Sequence, residues 1–221
     1  MRNVELTRLR KLLKKISSLL IVTHNNPDPD ALGSAFALSV LAKNLKVRSN
    51  IFYGGFISRP ENKRMVALLK IRPLLKKRVQ SRDYQAVAFV DCQAAGRNHP
   101  LPEYEGAIEI DHHPRIRRRK GLISIVESGV GATATLLFEI LMKMKVPISS
   151  PVATGLFYGI KTDTDNLSRG TTNRDIEAYS HLFSTIDKRK LALIEHPERS
   201  RYYYSLLMKG LKKGRIVSSF A

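Results

Sequence analysis

His24-Asn25-Asn26-Pro27-Asp28-Pro29-Asp30-Ala31-Leu32-Gly33-Ser34 follows directly on the apolar run Leu19-Leu20-Ile21-Val22 and leads into residues 31–45, rich in alanine and leucine and free of proline. A short apolar run closed by a Pro/Asp turn reads as a buried strand, and the stretch behind it as a helix whose amino end stands beside the aspartates. Strand, polar loop and helix in that order form the repeating unit of a parallel sheet. Working outward, residues 46–53, 86–90, 107–110 and 121–126 read as further strands, and 60–70, 130–145 and 150–163 as helical stretches. Val4, Leu6, Leu9, Leu12, Leu13 and Ile16 keep close to a helical period, so the chain opens on an amphipathic helix over 3–16. Two short helices are expected over 172–194. A basic helix is expected over 198–213, with Tyr202, Tyr203 and Tyr204 assigned to core packing. The predicted class is α/β, a mostly parallel sheet with helices on both faces.

The 221 residues, 43% of them hydrophobic, suffice for one large domain with a packed core. That domain is placed at 1–195, with 196–221 read as a basic helix and linker. Cys92 is the only cysteine, which excludes a disulfide framework. Without an amino-terminal signal segment, the reading is a reducing, cytoplasmic setting. No apolar stretch approaches the ~20 residues that cross a bilayer, because Lys143 and Lys145 interrupt residues 136–146 and Lys161 the next apolar region. No membrane partner is expected. The net charge of +19, from 38 basic against 19 acidic side chains, concentrates polyanions around the molecule. The basic excess is clustered at 8–15, 70–78, 115–120 and 209–215. The third cluster adjoins a double histidine and is read as anion-binding.

His24, Asp28 and Asp30 crowd one imidazole and two carboxylates onto a strand end. Three more segments deliver the same kinds of group: Asp91 after 86–90, Asp111-His112-His113 after 107–110, and Asp163 within 158–164. In open α/β sheets ligands bind outside the carboxyl ends of the strands, so these groups are predicted to meet in one crevice. Taken singly, Asp91 is a turn residue and Pro-Asp-Pro-Asp a turn with an N-cap. Those ordinary uses fail jointly, since they would have to hold in every one of these segments. Two divalent ions roughly 3.5–4 Å apart answer the pattern. His24, Asp28 and Asp91 are assigned to one ion, and Asp30, Asp91, His112 and Asp163 to the other, with Asp91 as the bridge. Asp28 and Asp30 are expected to point to different sides of an extended turn. Mixed imidazole and carboxylate donors suit Mn²⁺, with Mg²⁺ as second choice, and structural Zn²⁺ lacks its thiolates.

The candidate catalytic set is His113, Asp91 and Asp111. His113 is assigned to donate to a phosphate oxygen or protonate the leaving group, and Asp111 to orient an imidazole. Arg97, Arg115 and Arg169 are the candidate substrate contacts. Asp165 is the competitor of Asp163, and the small-residue helix starts at 33–34 and 129–133 are read as capping.

On these residues the sequence resembles the DHH phosphoesterase superfamily over nearly the whole chain. His24-x-x-x-Asp28-x-Asp30-Ala31-x-Gly33-Ser34 is similar to the first family motif, Val90-Asp91 to the second, Asp111-His112-His113-Pro114 to the third, and Gly159-Ile160-x-Thr162-Asp163-Thr164 to the fourth. The nearest branch is that of RecJ-like exonucleases, nanoRNases and phosphatases of small nucleotides. The resemblance implies Mn²⁺-dependent hydrolysis of phosphodiester or phosphomonoester bonds in short single-stranded oligonucleotides or nucleotides. An exopolyphosphatase or pyrophosphatase is the alternative within the same chemistry, and a non-catalytic nucleic-acid or nucleotide-binding module the alternative outside it. Members of this branch carry a carboxy-terminal DHH-associated domain with a Gly-Gly-Gly-His motif, and these residues contain no such motif. Residues 196–221 are accordingly read as leading towards an absent domain, with that domain or a homodimer completing the cleft.

Overall fold

The computed structural model of the chain describes residues 3–75, 79–101, 108–117, 123–199 and 201–214. The helix Asn3–Leu13 (α1) precedes the strand Ser18–Val22 (β1), the helix Pro29–Asn44 (α2), the strand Arg48–Tyr53 (β2), the helix Pro60–Leu68 (α3) and the short strand Pro73–Leu75 (β3). The strands Ala86–Val90 (β4), Ile108–Asp111 (β5) and Ile123–Val126 (β6) follow. Helices then complete the chain at Thr133–Lys143 (α4), Ser150–Asp163 (α5), Asn173–Phe183 (α6), Lys188–Glu195 (α7) and Arg201–Lys213 (α8).

The six strands form one parallel sheet in the order β3-β2-β1-β4-β5-β6. The chain winds outward from β1 to β3, returns to lay β4 beside β1, and winds outward again. The switch point therefore lies between β1 and β4, where a doubly wound sheet opens a crevice at its carboxyl edge. The register sets what stands there. Val22 is level with Phe89 and Val90 with Ile110. Carried one or two residues past those pairs, the same register aligns His24 with Asp91 and Asp91 with Asp111, on strands about 4.8 Å apart.

Side chains alternate across the sheet. Leu19, Ile21, Ala88, Val90, Ile108 and Ile110 join the larger core cluster, with Leu9 and Leu13 of α1, Leu38 and Leu41 of α2, and residues of α4 and α5. Each fully buried leucine or isoleucine contributes about 1.5–3 kcal/mol. Leu20, Val22, Phe52, Val87 and Phe89 point the other way into a smaller cluster. The α/β class and the parallel sheet follow the sequence reading, but the two faces are covered unequally. Among the described residues the second face is closed by Val79, Tyr84 and Leu101 from connecting segments, and the helices of the core lie on the first. The reason lies in the crossovers, because no helix is found among the described residues between β4 and β6.

Two further differences concern the ends of the sheet and of the chain. Residues 73–75 form a strand within the stretch 70–78 that the sequence reading took as a basic cluster. β3 is three residues long, lies at the sheet edge and begins with Pro73, a place where a missing backbone donor is tolerated. Lys76, Lys77 and Arg78 of that cluster, Arg118, Arg119 and Lys120 of the next, and residues 215–221 lie outside the described residues. In α8 no residue is buried, and Tyr202, Tyr203 and Tyr204 are 71%, 42% and 53% exposed. The expected core packing does not hold, because helical periodicity reports an apolar face and says nothing of what covers it. No helix among the described residues is long and apolar enough to cross a membrane.

Candidate metal centre

The loop after β1 is tied down by its own backbone. Asn25 N donates to the Asn98 carbonyl, Asn26 N to that of Gly54, and the Asn62 side chain to that of Pro27. Asp28 then caps α2, its Oδ1 accepting from Ala31 N at 2.9 Å. The capping use and the proposed ligand use coexist, since a carboxylate offers further lone pairs. Asp30 lies two residues on, in the first turn, and faces elsewhere. Thr133 N donates to its Oδ2 and Ala134 N to its Oδ1, both at 2.7 Å, so Asp30 occupies the amino terminus of α4. The separation of Asp28 from Asp30 is thus as expected, but it comes from the start of a helix and not from an extended turn. Asp175 sets up that arrangement from α6 by accepting from Gly131 N and Thr135 Oγ1. The small-residue start at 129–133 receives an internal carboxylate.

Asp91 has φ of +58°, a left-handed conformation that aspartate tolerates better than most residues and that clusters at functional sites. The turn sets its carboxylate between two imidazoles. Oδ2 lies 3.4 Å from His24 Nε2, and Oδ1 lies 3.7 Å from His112 Nε2 and 2.7 Å from the Thr133 hydroxyl that donates to it. His24 Nδ1 is 2.9 Å from the Asn25 carbonyl, which leaves Nε2 towards Asp28 and Asp91. His112 Nε2 is 3.1 Å from Asp163 Oδ2. Asp163 ends α5 and reaches the site because α5 and α2 approach without side chains between them. A Cβ on Gly33 would stand 2.5 Å from the Gly155 carbonyl oxygen, and one on Gly159 3.0 Å from Asp30 Cα. Asp165, the competitor, sits in the following turn with φ of +47°.

Three sets of donor atoms, each within 4.8 Å of one another, result: His24, Asp28 and Asp91; Asp30, His112 and Asp163; and Asp91, His112 and His113. The first brings together the residues assigned to one ion, and the second brings together those assigned to the other apart from Asp91, which lies beside it at His112. The third adds His113, which the sequence assigns to a phosphate oxygen or the leaving group and not to an ion. Its Nδ1 lies 2.8 Å from Asp111 Oδ1 and 3.9 Å from Asp91 Oδ1.

The charges fit a cation. Among the described residues Asp28, Asp91 and Asp163 form ion pairs with histidines alone. Burial, and after it the charge of Asp91, pushes the Asp30 carboxyl well above its ordinary range. Burial opposes the charged imidazole of His24, but hydrogen bonds to Asp28 and Asp91 outweigh it and raise the group to about 11. His112, likewise buried, is raised to about 10 by Asp163 and then by the fields of Asp30 and Asp91. Both nitrogens stand where positive charge is favoured. His113 is raised chiefly by its bond to Asp111. Asp111, although burial works against it, is held low by His113 and Gln93.

A cavity of about 520 Å³ opens beside these groups, with His24, Asp28, Asp91, Asp111, His113 and Asp163 on one side and the loop carrying Arg97 on the other. Arg97 makes no hydrogen bond or ion pair among the described residues. Arg169 reaches the Asp163 carbonyl at 2.9 Å. Arg115 is not brought to the cavity: its guanidinium donates to Ser124 Oγ and the Val126 carbonyl on β6. Sequence reasoning missed Thr133 and Gln93. Thr133 opens a helix and Gln93 stands two residues after Asp91, but in a single sequence nothing separates a buried clamp from a surface polar residue.

The model of the DHH family, N-terminal domain, matches residues 18–160, which hold His24, Asp28, Asp30, Asp91, Asp111, His112 and His113, with Asp163 three positions further on. A relative from Methanocaldococcus jannaschii is 40% identical over 92% of the chain, which spans only 42% of that protein. The cyclic-di-AMP phosphodiesterase GdpP of Bacillus subtilis is 26% identical over 79% of the chain and 29% of its own length. Among solved structures, an exopolyphosphatase-related protein from Bacteroides fragilis superposes with a TM-score of 0.78 at 22% identity, covering 97% of this chain and 66% of its own. The match extends over well over half of the sequence and includes the strand ends that build the site, and the chain belongs to the DHH family.

Proposed function

We propose that the chain is a metal-dependent phosphoesterase that hydrolyses phosphodiester or phosphomonoester bonds in nucleotides or short single-stranded oligonucleotides. The observation that carries this reading is Asp91, whose two oxygens face different imidazoles, 3.4 Å from His24 and 3.7 Å from His112. His24, Asp28 and Asp91 would hold one divalent ion, and Asp30, Asp91, His112 and Asp163 the second, Mn²⁺ by preference with Mg²⁺ as substitute. When bound, such a pair lowers the pKa of water and offsets phosphate charge. The remaining work falls to the chain. With Nδ1 of His113 engaged by Asp111, its Nε2 is left to hand a proton to the departing oxygen. Arg97 meets the substrate's anionic groups, and Arg169 steadies the end of α5.

The activity named for the B. subtilis relative belongs to this class of chemistry. Residues 1–195 are proposed as the catalytic unit, with exposed α8 as a connector to a further domain or a second copy. The free, buried Cys92 suits a cytoplasmic setting. The test is release of mononucleotide or inorganic phosphate in Mn²⁺ from a dinucleotide and, in parallel, from pyrophosphate. No release above that of an Asp91→Ala control would end the proposal.

A further inference from the structure

Gln93, only 2% exposed, spends its whole side chain on the segment 111–116. Its Nε2 donates to Asp111 Oδ2 at 2.8 Å and to the Pro114 carbonyl at 3.0 Å, and its Oε1 accepts from Ile116 N at 2.8 Å. Its own carbonyl accepts from Gly96 N at 2.8 Å. One buried amide thus joins Asp111 to the two segments that carry Gly96 and Ile116. Ile116 remains 61% exposed and lines the cavity, its Cδ1 3.5 Å from where a Cβ on Gly96 would stand. A single exposed isoleucine means little by itself. This one is fixed in place at the cavity mouth, beside Pro114 and facing a residue with no side chain. The next residue along, Arg97, is a cation without a partner among the described residues. The cavity therefore runs from an apolar floor, past a cation, to the wall of acids and imidazoles.

We infer that Ile116 and Gly96, held in register by Gln93, form an apolar subsite that takes the flat ring of a nucleobase whose phosphate lies towards Arg97 and the Asp111–His113 pair. The inference rests on the phosphoesterase reading and adds the residues that favour a ring-bearing substrate. Ile116 Cδ1 lies at van der Waals distance from the position of a Gly96 Cβ, so the two stand side by side as one apolar surface on which a single face of a ring can stack. A chain of inorganic phosphates would gain nothing from that floor and would need cations in its place.

The test uses protein with ¹³C-labelled isoleucine methyl groups in Mg²⁺, titrated with adenosine 5′-monophosphate and separately with inorganic pyrophosphate. The Ile116 methyl signal is assigned by its loss in Ile116→Ser, a change at an exposed position. The expected result is a nuclear Overhauser contact between that methyl and the adenine protons, with affinity for the mononucleotide about tenfold weaker in Ile116→Ser and restored in Ile116→Leu. Mononucleotide binding without that contact, and with equal affinity in Ile116→Ser, overturns the subsite. Turnover of pyrophosphate with no mononucleotide binding also overturns it but leaves the hydrolase reading standing. No binding and no turnover of either compound removes both.

Discussion

Gly33 of α2 packs against the backbone of Gly155 in α5 so closely that a Cβ at position 33 would stand 2.5 Å from the Gly155 carbonyl oxygen. The same crossing brings Gly159 to Asp30, so the start of α2 lies against the end of α5 and the two helices run antiparallel. Asp30 and Asp163, separated by most of the sheet in sequence, become neighbours through a contact that contains no side chain. The glycine in the loop motif is therefore part of the site's geometry, although it touches no candidate ion.

Gly33→Ala is expected to force the helices apart and to destabilise the fold by about 1–3 kcal/mol, the usual cost of inserting a group into a filled contact. Because the displacement acts on the Asp30–Asp163 side, binding at that side should weaken more than at the His24 side. Denaturant unfolding with chelator present and calorimetric titration with Mn²⁺ would report the two effects. A variant of unchanged stability and unchanged two-site titration would contradict the contact.

The Thr133 hydroxyl donates to Asp91 Oδ1 at 2.7 Å while the amide of the same residue donates to Asp30 at 2.7 Å. Thr133→Val keeps the shape and the amide but leaves Asp91 without its donor. The expected outcome is Mn²⁺ affinity lowered about 10- to 100-fold, the range seen when a group that orients a ligand is removed. Thr133→Ser should recover most of it. Electron paramagnetic resonance of bound Mn²⁺ separates this effect from a loss of folded protein.

The elevated imidazoles give the metal-free protein a defined response to pH. His24 and His112 are raised to about 11 and about 10 from an ordinary 6.5. A group whose folded value lies above its unfolded one binds more protons in the folded state, so its stabilisation is complete below pH 6.5 and is lost as pH climbs towards 10 and 11. Chelated protein should therefore lose thermal stability progressively across that window, and Asp91→Asn should flatten the loss. Divalent ions compete with those protons, so the rise in melting temperature on adding Mn²⁺ should grow with pH over the same interval. A Mn²⁺ effect that shrank with pH would contradict both imidazoles as ligands.

Much of this was legible in the sequence for identifiable physical reasons. Residues 86–90 and 150–163 have the predicted bounds, one because a strand buried on both faces must be continuously apolar, the other because it carries a proline in its first turn and ends at its last polar turn. The meeting of these side chains was legible because aspartate and histidine at successive strand ends have few joint structural uses. β3 was not, since three residues beginning with proline carry no alternation. The unequal cover of the sheet was hidden in crossovers whose composition says nothing about which face they close. Thr133 and Gln93 act through hydrogen bonds across 42 and 18 residues of sequence, and no local pattern encodes such partners.

Arg97 and Arg115 had equal standing in the sequence as phosphate contacts, and the structure sets them apart. Arg115 donates to Ser124 Oγ at 2.6 Å, and Ser124 in turn donates to the buried Glu109, whose other oxygen accepts from Ala94 N. Arg115→Met should therefore act on folding, lowering the unfolding midpoint with little change in substrate KM. Arg97 lines the cavity with no partner of its own among the described residues. A hydrogen bond to a charged group contributes about 1.5–3 kcal/mol, so Arg97→Met should raise KM for an anionic substrate roughly ten- to a hundredfold and leave the unfolding midpoint in place. It should also lower the salt dependence of binding, since one fewer cation meets the substrate's phosphates. Steady-state kinetics at two ionic strengths, set beside urea unfolding of both variants, distinguish the two arginines. An Arg97→Met enzyme with unaltered KM and unaltered salt response would remove that residue from the substrate's path.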